Sequence, residues 1–250
     1  MILRPINPVP PSTSDIVPAW DAILRAQKQS ATEWLLIAQA DHAALAGEMA
    51  RKITSSDFPT LEPEIIQAIA VHDDGWEQID GRRKNPGRPL SFFEEAPVDI
   101  FKAWKGSIAR ATQIAPIAGI LVSEHFCRIA RDFSRATTTP PEISQVLTTF
   151  VERENAQQEE LRERQSRDSN EINLLVNVLQ FFDLLSLYTC CGSHEHVEFP
   201  QKFNQKVFQL HRESNKYCLE PPLFNQPTSF SIVTTSHPSL STEQIFISLT

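Results

Sequence analysis

The most constraining feature of the 250-residue sequence is residues 170–190, a long and mostly apolar segment. We predict one helix here, and apolar residues on most of its sides require the rest of the protein to enclose it. Asp183 lies inside this helix, and a buried carboxylate is costly unless a cation or a metal partners it. The alternative is a narrow polar stripe facing solvent, formed by Asn173, Asn177, Gln180 and Asp183.

Helical periodicity and helix-start signals predict a chain made mainly of helices. The predicted helices are 39–53, 63–75, 99–112, 116–133, 140–164 and 202–216. Residues 229–235 and 244–249 have the pattern of short strands. We therefore expect a mainly all-α fold, a helical bundle with a small C-terminal β-hairpin that residues 1–6 can join. The expected domains are a Pro-rich extension (1–30), a helical metal-binding domain (31–192) and a C-terminal extension with short strands packed on it (193–250).

Charge and composition exclude several classes of partner. A formal net charge of -8 argues against a nucleic-acid-binding protein, because phosphate neutralisation needs a surplus of basic residues. No apolar run reaches the roughly 18 residues that a membrane span requires, and the first residues lack a signal-peptide pattern. Four cysteines without a CxxC spacing indicate reduced thiols, so we expect a cytoplasmic protein that acts on a small molecule.

The run His72-Asp73-Asp74-Gly75-Trp76 ends one predicted helix. His72 and Asp73 follow Ile69 by three and four residues, so both fall on the apolar face of that helix. An imidazole nitrogen and a carboxylate side by side can bind one divalent cation. The alternative is a helix C-terminus followed by a turn, with His72 near the negative end of the helix dipole.

Two further histidines lie on apolar helix faces. His42 is in phase with Leu45 and Met49, and His125 lies four residues after Leu121. A single core histidine usually does no more than form hydrogen bonds. Three of them on three helices, together with Asp183, predict a buried metal site.

The order His42, His72-Asp73, His125 and Asp183 resembles the HD superfamily of metal-dependent phosphohydrolases. A closer resemblance is to the DUF3891 family of uncharacterised proteins, from about residue 34 to the C-terminal strands. It is carried by QADHA at 39–43, AVHDDGW at 70–76, GRP at 87–89 with SF at 91–92, SEHF at 123–126 and FDLLSL at 182–187. These resemblances imply an HD-like helical fold.

The resemblance also implies site residues. His42, His72, Asp73 and Asp183 would bind a first metal, and His125 would serve a second. Asp73 and Asp74 would be catalytic, and Asp41, Trp76 and Arg88 would contact substrate. Asp74 stands where many nucleotide-cleaving HD enzymes have a lysine, which argues against a highly phosphorylated nucleotide as substrate.

The predicted function is that of a metal-dependent hydrolase acting on a small phosphoester. The cofactor would be a divalent ion, Mn, Mg, Zn or Fe, which lowers the pKa of bound water from about 15.7 toward neutrality. Two alternatives remain open. One is a di-iron-type oxygenase on the same scaffold, and the other is a non-catalytic, ligand-binding helical module.

Overall fold

The computed structural model describes residues 1–9, 15–81 and 89–250. Its helices are α1 (Ala19–Gln27), α2 (Gln39–Lys52), α3 (Pro63–Val71), α4 (Glu77–Asp80), α5 (Pro97–Ile114), α6 (Pro116–Arg135), α7 (Pro141–Arg162) and α8 (Ser169–Cys191). Its strands are β1 (Ile2–Pro5), β2 (Val17–Pro18), β3 (Trp34–Ile37), β4 (Val197–Phe203), β5 (Lys206–Glu213), β6 (Lys216–Glu220), β7 (Thr228–His237) and β8 (Thr242–Leu249).

All eight strands form one mixed sheet in the order β1-β3-β7-β8-β6-β5-β4-β2. The β6–β8 and β2–β4 pairs are parallel, and the other neighbours are antiparallel. The expectation of a mainly all-α bundle with a small hairpin is therefore wrong, and the protein has a mixed α/β fold. The predicted hairpin exists as the β7–β8 pair, but it lies inside the sheet rather than standing alone.

The prediction of a helix at residues 202–216 is wrong. These residues belong to a meander of the strands β4, β5 and β6. Val197, Phe199 and Phe203 are buried, while the residue after each of the first two is exposed, which is the period-2 pattern of a half-buried strand. Asn204 and Gln205 both have positive φ, as a tight two-residue hairpin turn requires. Cross-strand pairing overrides the helical spacing of the apolar residues in this segment.

Helix α8 is the central element of the core. The ring of Phe181 contacts Phe199 of β4 at a centroid distance of 4.9 Å, so this side of the helix packs on the sheet. Its other sides join the same apolar core as helices α2, α3 and α6. By length and composition α8 could cross a membrane, but 83% of its apolar window is buried, as in the core helix of a folded domain.

A short 3-10 helix (Asp74–Trp76) directly follows α3 and packs closely on α5. Gly75 permits this approach, because a Cβ at this position would lie 2.0 Å from the Ala103 carbonyl oxygen. The Gly75 amide also donates a hydrogen bond to the Ser107 hydroxyl at 3.0 Å. This contact fixes the chain just after His72 and Asp73.

Candidate metal centre

The structure brings the five predicted metal-binding side chains together in the core. His42 lies on α2, His72 and Asp73 directly follow α3, and two more come from α6 and α8, namely His125 and Asp183. All five are buried. Their donor atoms form two groups in which every atom lies within 4.8 Å of the others, His42/His72/Asp73 and His72/His125/Asp183. His72 belongs to both groups and so stands at the centre of the cluster.

The hydrogen bonds of His72 determine which of its ring nitrogens faces the cluster. Its Nδ1 lies 2.8 Å from the carbonyl oxygen of Ile69, which can only accept, so Nδ1 carries a proton. Its Nε2 lies 3.3 Å from Asp183 Oδ1 and 3.8 Å from Asp73 Oδ2. In the neutral tautomer, a nitrogen lone pair would therefore face two carboxylates.

His42 is oriented in the same way, by Ser186. The Ser186 hydroxyl donates to the carbonyl oxygen of Asp183 at 2.9 Å and therefore accepts from His42 Nδ1 at 3.0 Å. Nε2 of His42 then faces Asp73 Oδ2 at 3.0 Å. Both histidines thus direct an Nε2 lone pair toward carboxylate oxygens. This arrangement is stable only when a positive charge, either a proton or a metal ion, lies between the ring nitrogen and the carboxylates.

The pKa values of the cluster reflect this need for positive charge. Burial disfavours the charged form of His72, but the carboxylates of Asp73 and Asp183 outweigh burial and raise its pKa to about 9. Burial would raise the pKa of Asp183, but its hydrogen bond to His72 and the nearby histidine charge lower it to about 2. A divalent ion would supply the same positive charge and bind the same nitrogen and oxygen atoms.

His125 is the least satisfied member of the cluster. Its Nε2 is 3.8 Å from Asp183 Oδ2, and its buried Nδ1 has no hydrogen-bond partner within the described residues. Burial lowers the pKa of His125 to about 4, so the imidazole is neutral near pH 7 and free to bind a metal. A buried nitrogen without a partner fits a ligand that occupies the cluster in the working protein.

The four residues of the predicted polar stripe on α8 have two different sets of partners. The side-chain carbonyl oxygens of Asn173, Asn177 and Gln180 accept hydrogen bonds from the Arg128 guanidinium at 2.7–3.0 Å. Asp183 is 7% exposed and turns instead toward His72 and His125. Asn173 is exposed and Asn177 and Gln180 are half-buried, so the stripe begins in solvent, and its last member, Asp183, belongs to the cluster.

The remaining predicted site residues are more scattered. Trp76 is 3% exposed and lines an apolar cavity beside the cluster. The carboxylate of Asp74 lies 3.6 Å from Nε of Arg110 and belongs to neither group of donor atoms. Asp41 is exposed in the first turn of α2 and lines neither cavity next to the cluster. Arg88 lies outside the described residues.

Two cavities adjoin the cluster, and sequence reasoning missed both. One has a volume of about 360 Å³, is mostly apolar and reaches Asp73, His125 and Asp183. The other is an open groove of about 890 Å³ that reaches His125 and Asp183 from the side of α6 and β4. Trp20 of α1 lines both, although no sequence signal singled out this helix.

A third group of possible metal-binding residues lies apart from the cluster. His211 and Glu213 on β5 and Cys218 on β6 have donor atoms within 4.8 Å of one another, but none of the three is buried. Partly exposed groups of this kind are common without an ion, so the buried cluster is the stronger candidate.

Fold and site together define a mixed α/β protein whose core holds a histidine–aspartate cluster suited to a divalent metal. The family described as "Protein of unknown function (DUF3891)" matches residues 24–235, so the chain belongs to this family. The match includes every residue of the cluster. Comparisons with curated proteins and with solved structures found no match.

Proposed function

We propose that this protein is a metal-dependent hydrolase that cleaves a phosphoester. The observation that carries the proposal is the convergence of oriented imidazole nitrogens and two carboxylates at one buried point that opens into two cavities. Buried charge of this kind opposes stability unless a cation compensates it, and such clusters beside cavities are typical of functional sites. The resemblance of the His42…His72-Asp73…Asp183 order to HD phosphohydrolases supports the same reaction class.

The residues fall into distinct roles. His42, His72, Asp73 and Asp183 would hold a divalent metal, and His125 would hold a second one. When bound, such an ion lowers the pKa of its water to about 7 and offsets phosphate charge. Ser186 and the Ile69 carbonyl fix the ring tautomers of His42 and His72, so these two imidazoles present Nε2 to the site without reorganisation.

Asp73 is the best candidate for handling a proton. It is buried but lines the apolar cavity, so its carboxylate can reach both the cluster and a water molecule in that cavity. Asp74, also predicted to be catalytic, has its carboxylate near Arg110 and is a weaker candidate for this role.

A second candidate function is a di-iron oxygenase. The observation that favours it is the pair of overlapping three-residue groups sharing His72, which together offer three imidazoles and two carboxylates to two ions. Imidazole and carboxylate ligands suit iron, and the apolar cavity would keep bulk water from a reactive centre. Purified protein rich in iron with visible absorbance would favour this function over hydrolysis.

The test is metal content and phosphoesterase activity in matched variants. We expect the wild-type protein to bind at least one Mn²⁺ per chain and to hydrolyse a phosphomonoester or phosphodiester once loaded. Asp183→Asn and the double variant His72→Ala/Asp73→Ala should lose both properties. His211→Gln, which changes a histidine outside the cluster, should keep both. Unchanged metal content and melting temperature in the double variant would exclude a metal site at the cluster and favour a non-catalytic module.

A further inference from the structure

The apolar cavity beside the cluster has the character of a recognition chamber, which we call the aromatic chamber. Its walls include Trp76, Phe93, Phe101, Trp104, Phe126 and Leu147. Apart from the candidate metal ligands, its described lining contains no charged side chain, and its polar members are Gln39, Thr138 and Thr139. Such a surface favours an apolar group, because a sugar or a polyphosphate would lose its hydration there without gaining enough hydrogen bonds.

The groove on the other side of the cluster has the opposite character, and we call it the cationic groove. Its lining includes four basic side chains, Arg128, Arg131, Arg135 and Lys202, against two acidic ones, Asp132 and Asp183. Arg128 and Arg131 share the carboxylate of Glu124, so the pair keeps a net positive charge. Arg135 and Lys202 form no ion pair within the described part of the chain. The protein as a whole has a net charge of -8, so a positive groove differs in sign from the molecule around it. Such a groove attracts an anionic ligand.

The aromatic chamber and the cationic groove meet at the metal ligands. The residues that line both are Trp20, His125, Ile129, Phe133 and Asp183. A ligand that binds at the cluster can therefore extend into the chamber with one end and along the groove with the other. Because the apolar chamber and the cationic groove meet at the cluster, a matching substrate has an apolar part and an anionic part on either side of the bond that reacts.

We propose that the substrate is an anionic phosphate ester with an apolar, ring-sized alcohol or phenol as its leaving group. The apolar group occupies the aromatic chamber, and the phosphoryl oxygens lie at the cluster on the side of the cationic groove. An engineered apolar cavity of about 150 Å³ binds benzene, so about 360 Å³ accommodates a substituted or fused ring. This substrate class rests on the proposed phosphoesterase function for its reaction, but on the two cavities for its recognition.

The reaction consumes one water molecule. The water oxygen bonds to phosphorus, the bond between phosphorus and the ester oxygen breaks, and the leaving oxygen takes up a proton as the free alcohol or phenol. The products are thus an apolar hydroxy compound, which keeps the ester oxygen, and a phosphate in which the water oxygen has replaced that oxygen and which keeps the other hydrogen of the water. The apolar product stays in the chamber after cleavage, so it should inhibit the enzyme.

The first experiment compares probes that isolate the two recognition elements. 1-Naphthyl phosphate carries both an apolar group and a phosphate, glycerol 2-phosphate carries only the phosphate, and 1-naphthol carries only the ring. For the Mn²⁺-loaded protein we expect kcat/KM to be at least tenfold higher for 1-naphthyl phosphate than for glycerol 2-phosphate; because 1-naphthol is also the better leaving group, Phe93→Ala should reduce this ratio if the chamber contributes to it. By calorimetry, 1-naphthol should bind even the metal-free protein, which gives a readout that does not depend on activity.

The second experiment uses variants with matched controls. Phe93→Ala and Ile143→Ser change partly buried chamber residues, and each should weaken 1-naphthol binding about tenfold, a loss typical of a missing apolar contact. Phe246→Ala removes a ring that is 71% exposed on β8 and should change nothing. Arg135→Gln/Lys202→Gln should raise KM for 1-naphthyl phosphate and leave 1-naphthol binding unchanged, whereas Lys216→Gln should affect neither.

The outcomes separate this inference from the proposed function. Equal kcat/KM for the two esters, or 1-naphthol binding that ignores both chamber variants, would overturn the substrate class while phosphoesterase activity stands. Binding of 1-naphthol that follows the predicted variant pattern, in a protein that cleaves no ester, would support the chamber and overturn the hydrolase. Because two independent chamber residues are tested, misfolding of one variant leaves the other as the deciding measurement.

Discussion

At the residue scale, the cluster depends on side chains that never contact a metal. Ser186 lies one turn after Asp183 on α8 and orients His42 by accepting a hydrogen bond from its Nδ1–H. The Ile69 carbonyl does the same for His72. Such hydrogen bonds determine which nitrogen is available, and their loss typically costs ten- to a hundredfold in metal affinity.

Ser186→Ala should therefore weaken Mn²⁺ binding by about ten- to a hundredfold, although Ser186 is not a ligand. The free His42 ring can then rotate or change tautomer, and Nε2 no longer faces the site. Titration of metal-free protein with Mn²⁺ measures the effect. Ser229→Ala, which removes an exposed hydroxyl on β7, serves as the control. Equal affinities in the two variants would contradict the orienting role of Ser186.

A second prediction at this scale concerns Glu154 on α7, which is buried beside Ser123 and Gln158. Burial raises the pKa of its carboxyl group above the ordinary value, so the folded protein holds this proton more tightly than the unfolded chain does. Ionising Glu154 therefore destabilises the folded protein. This destabilisation is absent below the pKa of the unfolded chain, near 4.3, and grows as the pH rises toward the pKa of the folded protein.

Glu154→Gln should remove this cost while keeping an acceptor for the Ser123 hydroxyl. We expect its melting temperature at pH 7 to exceed that of the wild type. The difference should shrink below about pH 4, where both states of the wild type are protonated. Glu152→Gln, an exposed neighbour, should show no such pH dependence. A difference in melting temperature between Glu154→Gln and the wild type that grows toward low pH would refute a raised pKa of Glu154.

At the scale of elements, the position of His72 and Asp73 depends on how the 3-10 helix Asp74–Trp76 packs on α5. Gly75 and Gly106 lie in contact, and a Cβ on Gly106 would be 3.1 Å from the Gly75 Cα. Two backbones approach here without side chains between them. The glycine after the His-Asp pair thus serves close packing rather than a left-handed helix end.

Gly75→Ala should destabilise the protein by about 1–3 kcal/mol or more, because the new methyl group meets the backbone of α5, which cannot yield locally. It should also lower metal affinity, since α3 and α5 must separate. Denaturant unfolding with and without Mn²⁺ measures both effects. Gly81→Ala adds the same methyl group 3.2 Å from a single carbonyl oxygen and should cost much less. Equal stability losses would argue against the close packing.

At the scale of the whole molecule, the cluster connects four helices, and α2 and α3 lie far from α6 and α8 in sequence. His72 and Asp183 are separated by 111 positions, and His42 and Ser186 by 144. A metal bound here would hold α2, α3, α6 and α8 together and would be lost on unfolding. Metal binding should therefore stabilise the entire fold.

Adding Mn²⁺ at about 100 times its Kd should stabilise the folded state by about 2.7 kcal/mol. For a chain of this length that corresponds to a rise of roughly 5–11 °C in Tm. A chelator should reverse the rise, and His72→Ala/Asp73→Ala should abolish it, as differential scanning calorimetry can show. An equal rise in the double variant would place the metal elsewhere, with His211, Glu213 and Cys218 as the next group to examine.

The sequence alone determined the long helices and the inward direction of the cluster residues. Periodicity is a local property, and His42, His125 and Asp183 each share a face with apolar neighbours only a few positions away. Burial of Asp183 in an apolar helix further required a cationic partner. These arguments need no knowledge of how the helices are arranged.

Only the tertiary structure decided what surrounds that apolar helix. Residues 197–220 form strands because their cross-strand partners bury Phe199, Phe203 and Phe208 against α8, and no local window contains those partners. The aromatic chamber and the cationic groove likewise combine α1, α5, α6 and α7 with strand β4, from distant parts of the chain. The spacing of apolar residues in the sequence identifies a buried charge such as Asp183. The surrounding fold determines which residues partner that charge and which cavities lie beside it.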